Sequence, residues 1–147
     1  MFRIAFAVVL AAAIPFTAFA GPKEEAQVVA DKFIAAFVAG DLEATTTLFT
    51  PDASFWGTIS PELGTAPDVV RKYFADNYAA RAKVPLKGAS ITDSSALVLS
   101  DDTVLIAGRW QTERPTATSL LRYTLVIHKQ GGQWRIVHLH SSPRPKQ

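Results

Sequence analysis

The chain contains 147 residues, among them 15 lysines and arginines, 13 aspartates and glutamates, and no cysteine. Without cysteine the protein has no disulfide, no thiol nucleophile and no cysteine ligand for zinc. Its formal net charge is only +2 and the sequence has no block of basic residues, so we expect no nucleic-acid partner.

The first 20 residues are typical of a secretory signal peptide. Arg3 precedes an apolar run that is interrupted at Pro15, and small residues stand at the third and first positions before a cut after Ala20. The run is shorter than the roughly 20 residues that a bilayer span requires, which argues against a retained anchor. We therefore predict a signal peptide over 1–20, a periplasmic or secreted location, and no membrane contact after cleavage.

The remaining chain is long enough for one domain with its own core, which we place at 21–143, before a flexible tail at 144–147. Its first part is helical, because apolar residues recur at helical spacing over 23–39 and Gly40 is a natural C-terminal stop. Asp41 can cap a second, short helix that we expect to reach about residue 49.

Strands dominate the rest of the chain. We expect Pro51 to end the second helix, a brief strand over 53–56, and a third helix from about Pro67 to residue 81. Alternating patterns then predict four strands, over 86–99, 103–112, 120–129 and 133–141. This order predicts an α+β fold, with three N-terminal helices packed on one face of a curved antiparallel sheet. No glycine-rich phosphate loop is present, so we expect no nucleotide or other cofactor.

The closing hairpin supplies the candidate site residues. If Gly131 and Gly132 form a two-residue turn, Lys129 pairs with Trp134, Ile127 with Ile136, Leu125 with His138 and Tyr123 with His140. Strict alternation then places His138 and His140 on the same face as Tyr123, and places His128 on the opposite face. That arrangement disfavours a three-histidine site, although His138 and His140 alone could hold two ligand positions. Because the motif has no aspartate or glutamate nearby, we expect no bound metal.

His138 and His140 have two interpretations. Buried imidazoles are most often neutral and hydrogen-bonded, here to Tyr123 or to the backbone. In a pocket they would instead bind a ligand or act as acid or base, because the imidazole pKa is near neutral. Arg109 either faces solvent or donates to a ligand carboxylate, and Trp56 is either core or a surface for a ligand.

The element order resembles the nuclear transport factor 2-like superfamily, also called SnoaL-like. Three segments carry the resemblance to its branch of SgcJ/EcaC-type proteins, and the last of them is also similar to the association domain of calcium/calmodulin-dependent kinase II. These segments are Phe55-Trp56-Gly57-Thr58, Arg109-Trp110, and Trp134-Arg135-Ile136-Val137-His138-Leu139-His140-Ser141-Ser142.

The resemblance implies a cone-shaped domain whose curved sheet wraps the helices, leaves a pocket at the open end, and dimerises through its outer face. Arg109 looks like one of the pocket arginines of the kinase association domain, although Ser141 stands where that domain has another arginine. We therefore expect an exported, homodimeric small-molecule-binding domain. The candidate ligand-binding residues are Trp56, Arg109, Tyr123, His138 and His140.

Two alternatives remain open. One is an isomerase, dehydratase or cyclase that acts on a small carbonyl compound, with His138 or His140 as its base and Arg109 or Tyr123 as the oxyanion donor. The other is a protein-interaction or assembly module that uses the outer face of the sheet.

Overall fold

The structure, a computed structural model, describes residues 20–65 and 68–145. The predicted signal peptide up to residue 19, the predicted start of the third helix at 66–67, and the end of the predicted tail at 146–147 lie outside the described residues. The elements are α1 (Pro22–Ala39), α2 (Leu42–Thr46), β1 (Phe49–Trp56), α3 (Val69–Ala80), β2 (Gly88–Ser100), β3 (Thr103–Arg114), β4 (Ala117–Gln130) and β5 (Gln133–Pro143).

The fold is α+β, as the sequence predicts. The five strands form one curved, unclosed sheet in the order β1-β5-β4-β3-β2, with the helices N-terminal to its meander. Strands β2 to β5 are antiparallel, whereas β1 pairs parallel to β5 at one edge. The sheet is therefore mixed and not, as was predicted, wholly antiparallel. A hairpin would force two strands to be antiparallel, but β1 and β5 are not joined by one.

The boundary between α2 and β1 differs from the prediction. Asp41 caps α2, its side chain accepting a hydrogen bond from the Ala44 amide at 2.9 Å, but the helix ends at Thr46. Pro51 lies inside β1 instead of ending a helix. An edge strand tolerates proline, because the missing amide hydrogen would otherwise face away from the sheet.

An aromatic cluster joins α1 and α3 to the inner face of the sheet. Phe74 of α3 packs against four other phenylalanine rings at centroid distances of 5.6–6.3 Å, mostly edge to face. These partners are Phe33, Phe37, Phe49 and Phe55. Over the described residues, no helix has both the length and the apolar character to cross a membrane.

The β4–β5 hairpin begins as predicted and then changes register. Gly131 and Gly132 have φ values of 58° and 79°, the left-handed turn that glycine favours, and Lys129 pairs with Trp134. Ile127 also pairs with Ile136, but Val126 pairs with His138, so Val137 is an extra residue on β5. This β-bulge reverses which residues of β5 face the helices from that point onward.

Because of this bulge, the predicted pairs of Leu125 with His138 and of Tyr123 with His140 are wrong. Leu125 pairs with Leu139, and Tyr123 with Ser141. Leu139 is thereby buried, with only 4% of its surface exposed, while His140 is exposed. Burying a leucine side chain stabilises the folded state by about 1.5–3 kcal/mol. Strict alternation would bury two imidazoles instead, and buried polar groups cost free energy unless they are hydrogen-bonded.

Candidate functional site

A cavity of about 220 Å³ lies between α1, α3 and the inner face of the sheet. Its wall is mainly aromatic and aliphatic, including Phe33, Phe37, Phe74, Trp110, Leu125 and Leu139. A few polar side chains interrupt this wall, namely Thr58, Asn77, Thr112, Arg114, Ser119 and Ser141. Among the described residues that line the cavity, none is a histidine, an aspartate or a glutamate.

A second, outer hollow adjoins the cavity, and we call it the vestibule. Ile59, Tyr73, Asn77 and Arg114 line both the cavity and the vestibule, and we call this shared boundary the neck. The Nη1 of Arg114 donates to the carbonyl oxygen of Val84 at 2.8 Å, which fixes the guanidinium at the edge of β3. Asp76, which is paired with Lys72 at 2.8 Å, also lines the vestibule, so charges of both signs border it.

Ser141 provides a hydrogen-bonded group inside the cavity. Its Oγ accepts from Thr58 Oγ1 at 2.7 Å and from Trp110 Nε1 at 3.3 Å, and the residue is 5% exposed. The bulge in β5 brings Ser141 to this position. These bonds satisfy the indole N–H that would otherwise be buried without a partner.

Two tyrosines border the cavity. Burial raises the pKa of Tyr73, partly offset by groups of Ile59 and Thr58, and burial also raises the pKa of Tyr123. The Tyr123 hydroxyl is buried without a hydrogen bond among the described residues, although the Ser94 side chain lies near enough to oppose the pKa shift slightly. Both phenols are therefore neutral groups at physiological pH.

Arg81 lies behind this wall, between two aromatic rings. Its guanidinium carbon is 4.5 Å from the centroid of Phe37 and 4.3 Å from that of Tyr78, and Nη1 donates to the Phe37 carbonyl at 2.6 Å. Burial lowers the pKa of Arg81, and the positive charge of Arg114 adds to the effect. The contacts with the rings and with the carbonyl at the end of α1 stabilise this cation.

Of the five candidate ligand-binding residues, only Tyr123 lines the cavity. Trp56 is 42% exposed, and Arg109 is exposed and bonded to Asp93, with Nη2 and Nε at 2.6 and 3.1 Å from the same carboxylate oxygen. Trp56 and Arg109 alternate with the inward-facing Phe55 and Trp110, so both lie on the outer face of the sheet. The predicted placement of Arg109 in the pocket is therefore wrong.

His138 and His140 are also on the outer face. In the parallel register of β1 and β5, His138 lies beside Ser54 and His140 beside Trp56, while Leu139 lies beside the inward-facing Phe55. The prediction that the two imidazoles share a face with Tyr123 and edge the pocket is wrong, because it assumed that β5 has no bulge. His128 alternates with the buried Ile127 and thus also projects outward, contrary to the predicted separation of the histidines.

The sequence reasoning missed Asn77, Arg114, Ser141 and Trp110 as wall residues. For Trp110 and Arg114 a signal was present: Val104 and Ile106 are apolar at period two, and continuing that alternation along β3 reaches both. The position of Ser141 had no such signal, because it depends on the bulge. For Asn77 the sequence does give the face, because helical spacing places it with Val70 and Phe74, but it does not show that this face borders a cavity.

Comparison with known proteins identifies the family. The SnoaL-like domain matches residues 27–145. A protein from Xanthomonas campestris, described as a calcium/calmodulin-dependent protein kinase II association domain, is 24% identical; the match covers 92% of this chain and 95% of that one, with a TM-score of 0.73. No curated protein shows significant similarity.

Two further structures share the fold. A nuclear transport factor 2-like protein of unknown function from Pseudomonas putida is 14% identical, with coverage of 85% and 88% and a TM-score of 0.75. A protein from Streptomyces avermitilis, described as a dehydratase of the nuclear transport factor 2-like family, is 18% identical, with coverage of 85% and 97% and a TM-score of 0.72. The SgcJ/EcaC-type branch stays a prediction, but the chain belongs to the SnoaL-like, or nuclear transport factor 2-like, family.

Proposed function

We propose that this protein binds a small, mainly apolar molecule in the cavity between its helices and its sheet. The observation that carries the proposal is the cavity of about 220 Å³ with its largely aromatic and aliphatic wall. An apolar cavity of about 150 Å³ is already large enough to hold benzene. The ligand is accordingly a molecule somewhat larger than benzene, and its binding energy comes chiefly from burial of its apolar surface.

The polar groups at the neck favour a ligand with one polar end. Arg114 and Asn77 lie where the cavity meets the vestibule, whereas the far wall is formed by residues such as Leu125 and Ala30. A polar or negatively charged group would remain partly solvated beside Arg114 while the apolar part enters. The molecule thus binds with its apolar end first.

A thermal-shift titration tests the proposal. We expect benzene, toluene and naphthalene to raise the melting temperature in a saturable way, because a ligand that binds only the folded state stabilises it. Ser119→Phe should abolish the shift, since Ser119 is an exposed residue that lines the cavity and a ring there would fill its open end. Thr118→Phe is the matched control, because the preceding residue of β4 points to the other face.

The proposal fails if no compound of this series shifts the melting temperature and native mass spectrometry of the protein purified from cells detects no bound molecule. A shift that persists unchanged in Ser119→Phe would also contradict it, because binding would then occur elsewhere. Circular dichroism of both variants establishes that the substituted proteins are folded.

We do not extend the proposal to catalysis. An isomerase, dehydratase or cyclase needs an acid or base at the ligand, and the two histidines considered for that role project from the outer face. The tyrosines of the cavity have raised pKa values and are poor bases at neutral pH. Tyr123, one of the two predicted oxyanion donors, does line the cavity, but none of the described wall residues is a histidine, aspartate or glutamate that would serve as the base.

We also propose that the protein is exported and acts as a homodimer through the outer face of its sheet. In support of the dimer, Leu97, Leu105 and Val126 lie side by side across β2, β3 and β4 in an apolar row. The neighbouring row, Ser95, Ala107 and Thr124, consists of small residues that permit close approach of a second sheet. A patch that pairs with itself about a twofold axis is the commonest oligomer interface.

A further inference from the structure

The outer face of the sheet carries two imidazoles side by side. His138 and His140 are two residues apart on β5, so both project to the same side, with their backbones about 6.6 Å apart along the strand. Strand β5 lies inside the sheet, with β1 on one side and β4 on the other. The spacing of the two side chains is therefore set by a paired strand and not by a loop.

Ser54 fixes the orientation of His138. Its Oγ is 2.7 Å from Nδ1 of the imidazole, and the two residues are paired in the β1–β5 register. With Nδ1 engaged by this hydroxyl, Nε2 is the nitrogen that remains for another partner. Histidines that ligate metals commonly have this arrangement, in which the second ring nitrogen donates to a neighbouring oxygen.

His140 is held by an aromatic contact. Its ring lies against Trp56 of β1, with 5.9 Å between the ring centroids. The two ring planes are tilted by 39°, so the indole supports the imidazole from one side.

One charged side chain of the neighbouring strand β4 is held by a hydrogen bond to β5. Arg122 on β4 donates from Nε to Ser142 at 2.9 Å, which directs its guanidinium toward the end of β5. In the described part of the chain, no cluster of three or more histidine, aspartate or glutamate side chains is arranged to hold a metal ion. Two imidazoles without carboxylates suit borderline transition metals and not calcium or magnesium.

We propose that His138 and His140 form a two-imidazole chelate on the outer face for a divalent transition-metal ion, with Cu²⁺ bound more tightly than Ni²⁺ or Zn²⁺. The preference for Cu²⁺ follows from the general order of affinities for nitrogen ligands. Water or an external ligand completes the coordination. The proposal departs from the expectation of no metal, which rested on the separation of His128 from the other two histidines and on the lack of an aspartate or glutamate in the motif.

A titration with CuCl₂ of the full chain in a non-coordinating buffer tests the chelate. We expect saturable quenching of tryptophan fluorescence, because Trp56 lies against His140, and nitrogen hyperfine structure in the electron paramagnetic resonance spectrum of the bound Cu²⁺. His138→Gln and His140→Gln should each weaken binding at least about tenfold. Ser54→Ala should weaken it by about tenfold, the low end of the roughly 10–100-fold loss that follows removal of a residue that orients a ligand.

His128→Ala is the matched control. His128 also projects from the outer face, but its Nδ1 lies 2.9 Å from Thr103 Oγ1, toward β3 and away from β5. Its removal should leave the Cu²⁺ affinity within about twofold. The proposal is overturned if His128→Ala weakens binding as much as His138→Gln, or if the double variant of His138 and His140 retains the affinity of the unsubstituted chain. Because the apolar-ligand titration contains no metal, these outcomes do not affect the cavity proposal.

Discussion

Glu25 links the start of α1 to the β4–β5 hairpin. Its Oε2 accepts from Trp134 Nε1 at 2.5 Å and from Lys129 Nζ at 3.1 Å. These donors, Trp134 first, lower the pKa of Glu25 below its ordinary value. The carboxylate therefore stabilises the folded state at pH values above the ordinary pKa of glutamate. This stabilisation is lost as the pH falls through the lowered pKa of Glu25 in the folded protein.

Glu25→Gln tests this linkage. We expect the variant to melt below the unsubstituted protein at pH 7, and the difference to shrink as the pH falls through the lowered pKa of Glu25 and the native carboxyl becomes protonated. Glu24→Gln, at the adjacent exposed position of the same helix turn, should show a smaller and less pH-dependent difference. Thermal melts of the three proteins across this pH range make the comparison, and an unchanged Glu25→Gln difference would contradict the proposed linkage.

Gly57 is required for the contact between β1 and Tyr73. A Cβ at this position would overlap the Tyr73 ring and also approach Phe55. Gly57→Ala should therefore cost about 1–3 kcal/mol of unfolding free energy, the usual range for overpacking, and displace the ring that forms the neck of the cavity. Urea unfolding measures this cost, with Gly88→Ala as control because a Cβ there meets nothing within 4 Å. Equal effects of the two substitutions would argue against the close contact.

The bulge at Val137 determines which residues in the second half of β5 face the helices. Leu139 is 4% exposed and His140 is exposed, the reverse of what unbroken alternation from Trp134 gives. Leu139→Ala should cost about 2–5 kcal/mol of unfolding free energy, whereas His140→Ala should change it by about 0.5 kcal/mol or less. Urea denaturation of the two variants shows which of the two side chains is buried. If His140→Ala lowered the unfolding free energy more than Leu139→Ala, the bulge would lie at another position.

The same strand shows how far sequence reasoning reaches. From the Gly131–Gly132 turn to Ile136, glycine chemistry and apolar alternation predict the pairing correctly, because local preferences decide it. Beyond Val137 they fail, since the bulge is favoured by the burial of Leu139 against partners distant in sequence. The placement of His138 and His140 fails with it, whereas Trp56 and Arg109 lie on the outer face because they alternate with the buried Phe55 and Trp110. Of the five candidate residues, only Tyr123 lines the cavity.

At the scale of the whole molecule, the two faces of the sheet have separate roles in our proposals. The inner face, with the aromatic side chains of α1 and α3, forms the cavity. The outer face carries an apolar surface on β2, β3 and β4 that includes Leu97, which is 59% exposed. This surface reaches the chelate on β5, where Val126 pairs with His138. Exposed apolar side chains that gather in one patch are typical of interaction sites.

Leu105→Glu tests the proposed dimer. Leu105 lies on the outer face between Leu97 and Val126, so in a sheet-to-sheet dimer a carboxylate there would be buried without a partner. We expect sedimentation equilibrium to give a dimer for the unsubstituted chain. The variant should dissociate with a dissociation constant at least about 100-fold higher, which corresponds to about 2.8 kcal/mol.

Val28→Glu separates this interface from a general effect of added charge. Val28 is an apolar residue of α1 that is 50% exposed on the helical side of the molecule, away from the outer face of the sheet. Its substitution adds the same charge at a position away from the proposed interface. If Val28→Glu dissociates the dimer as strongly as Leu105→Glu, the contact does not run through the sheet. A monomeric mass for the unsubstituted chain, well above micromolar concentration, would exclude the dimer while leaving the cavity complete within one chain.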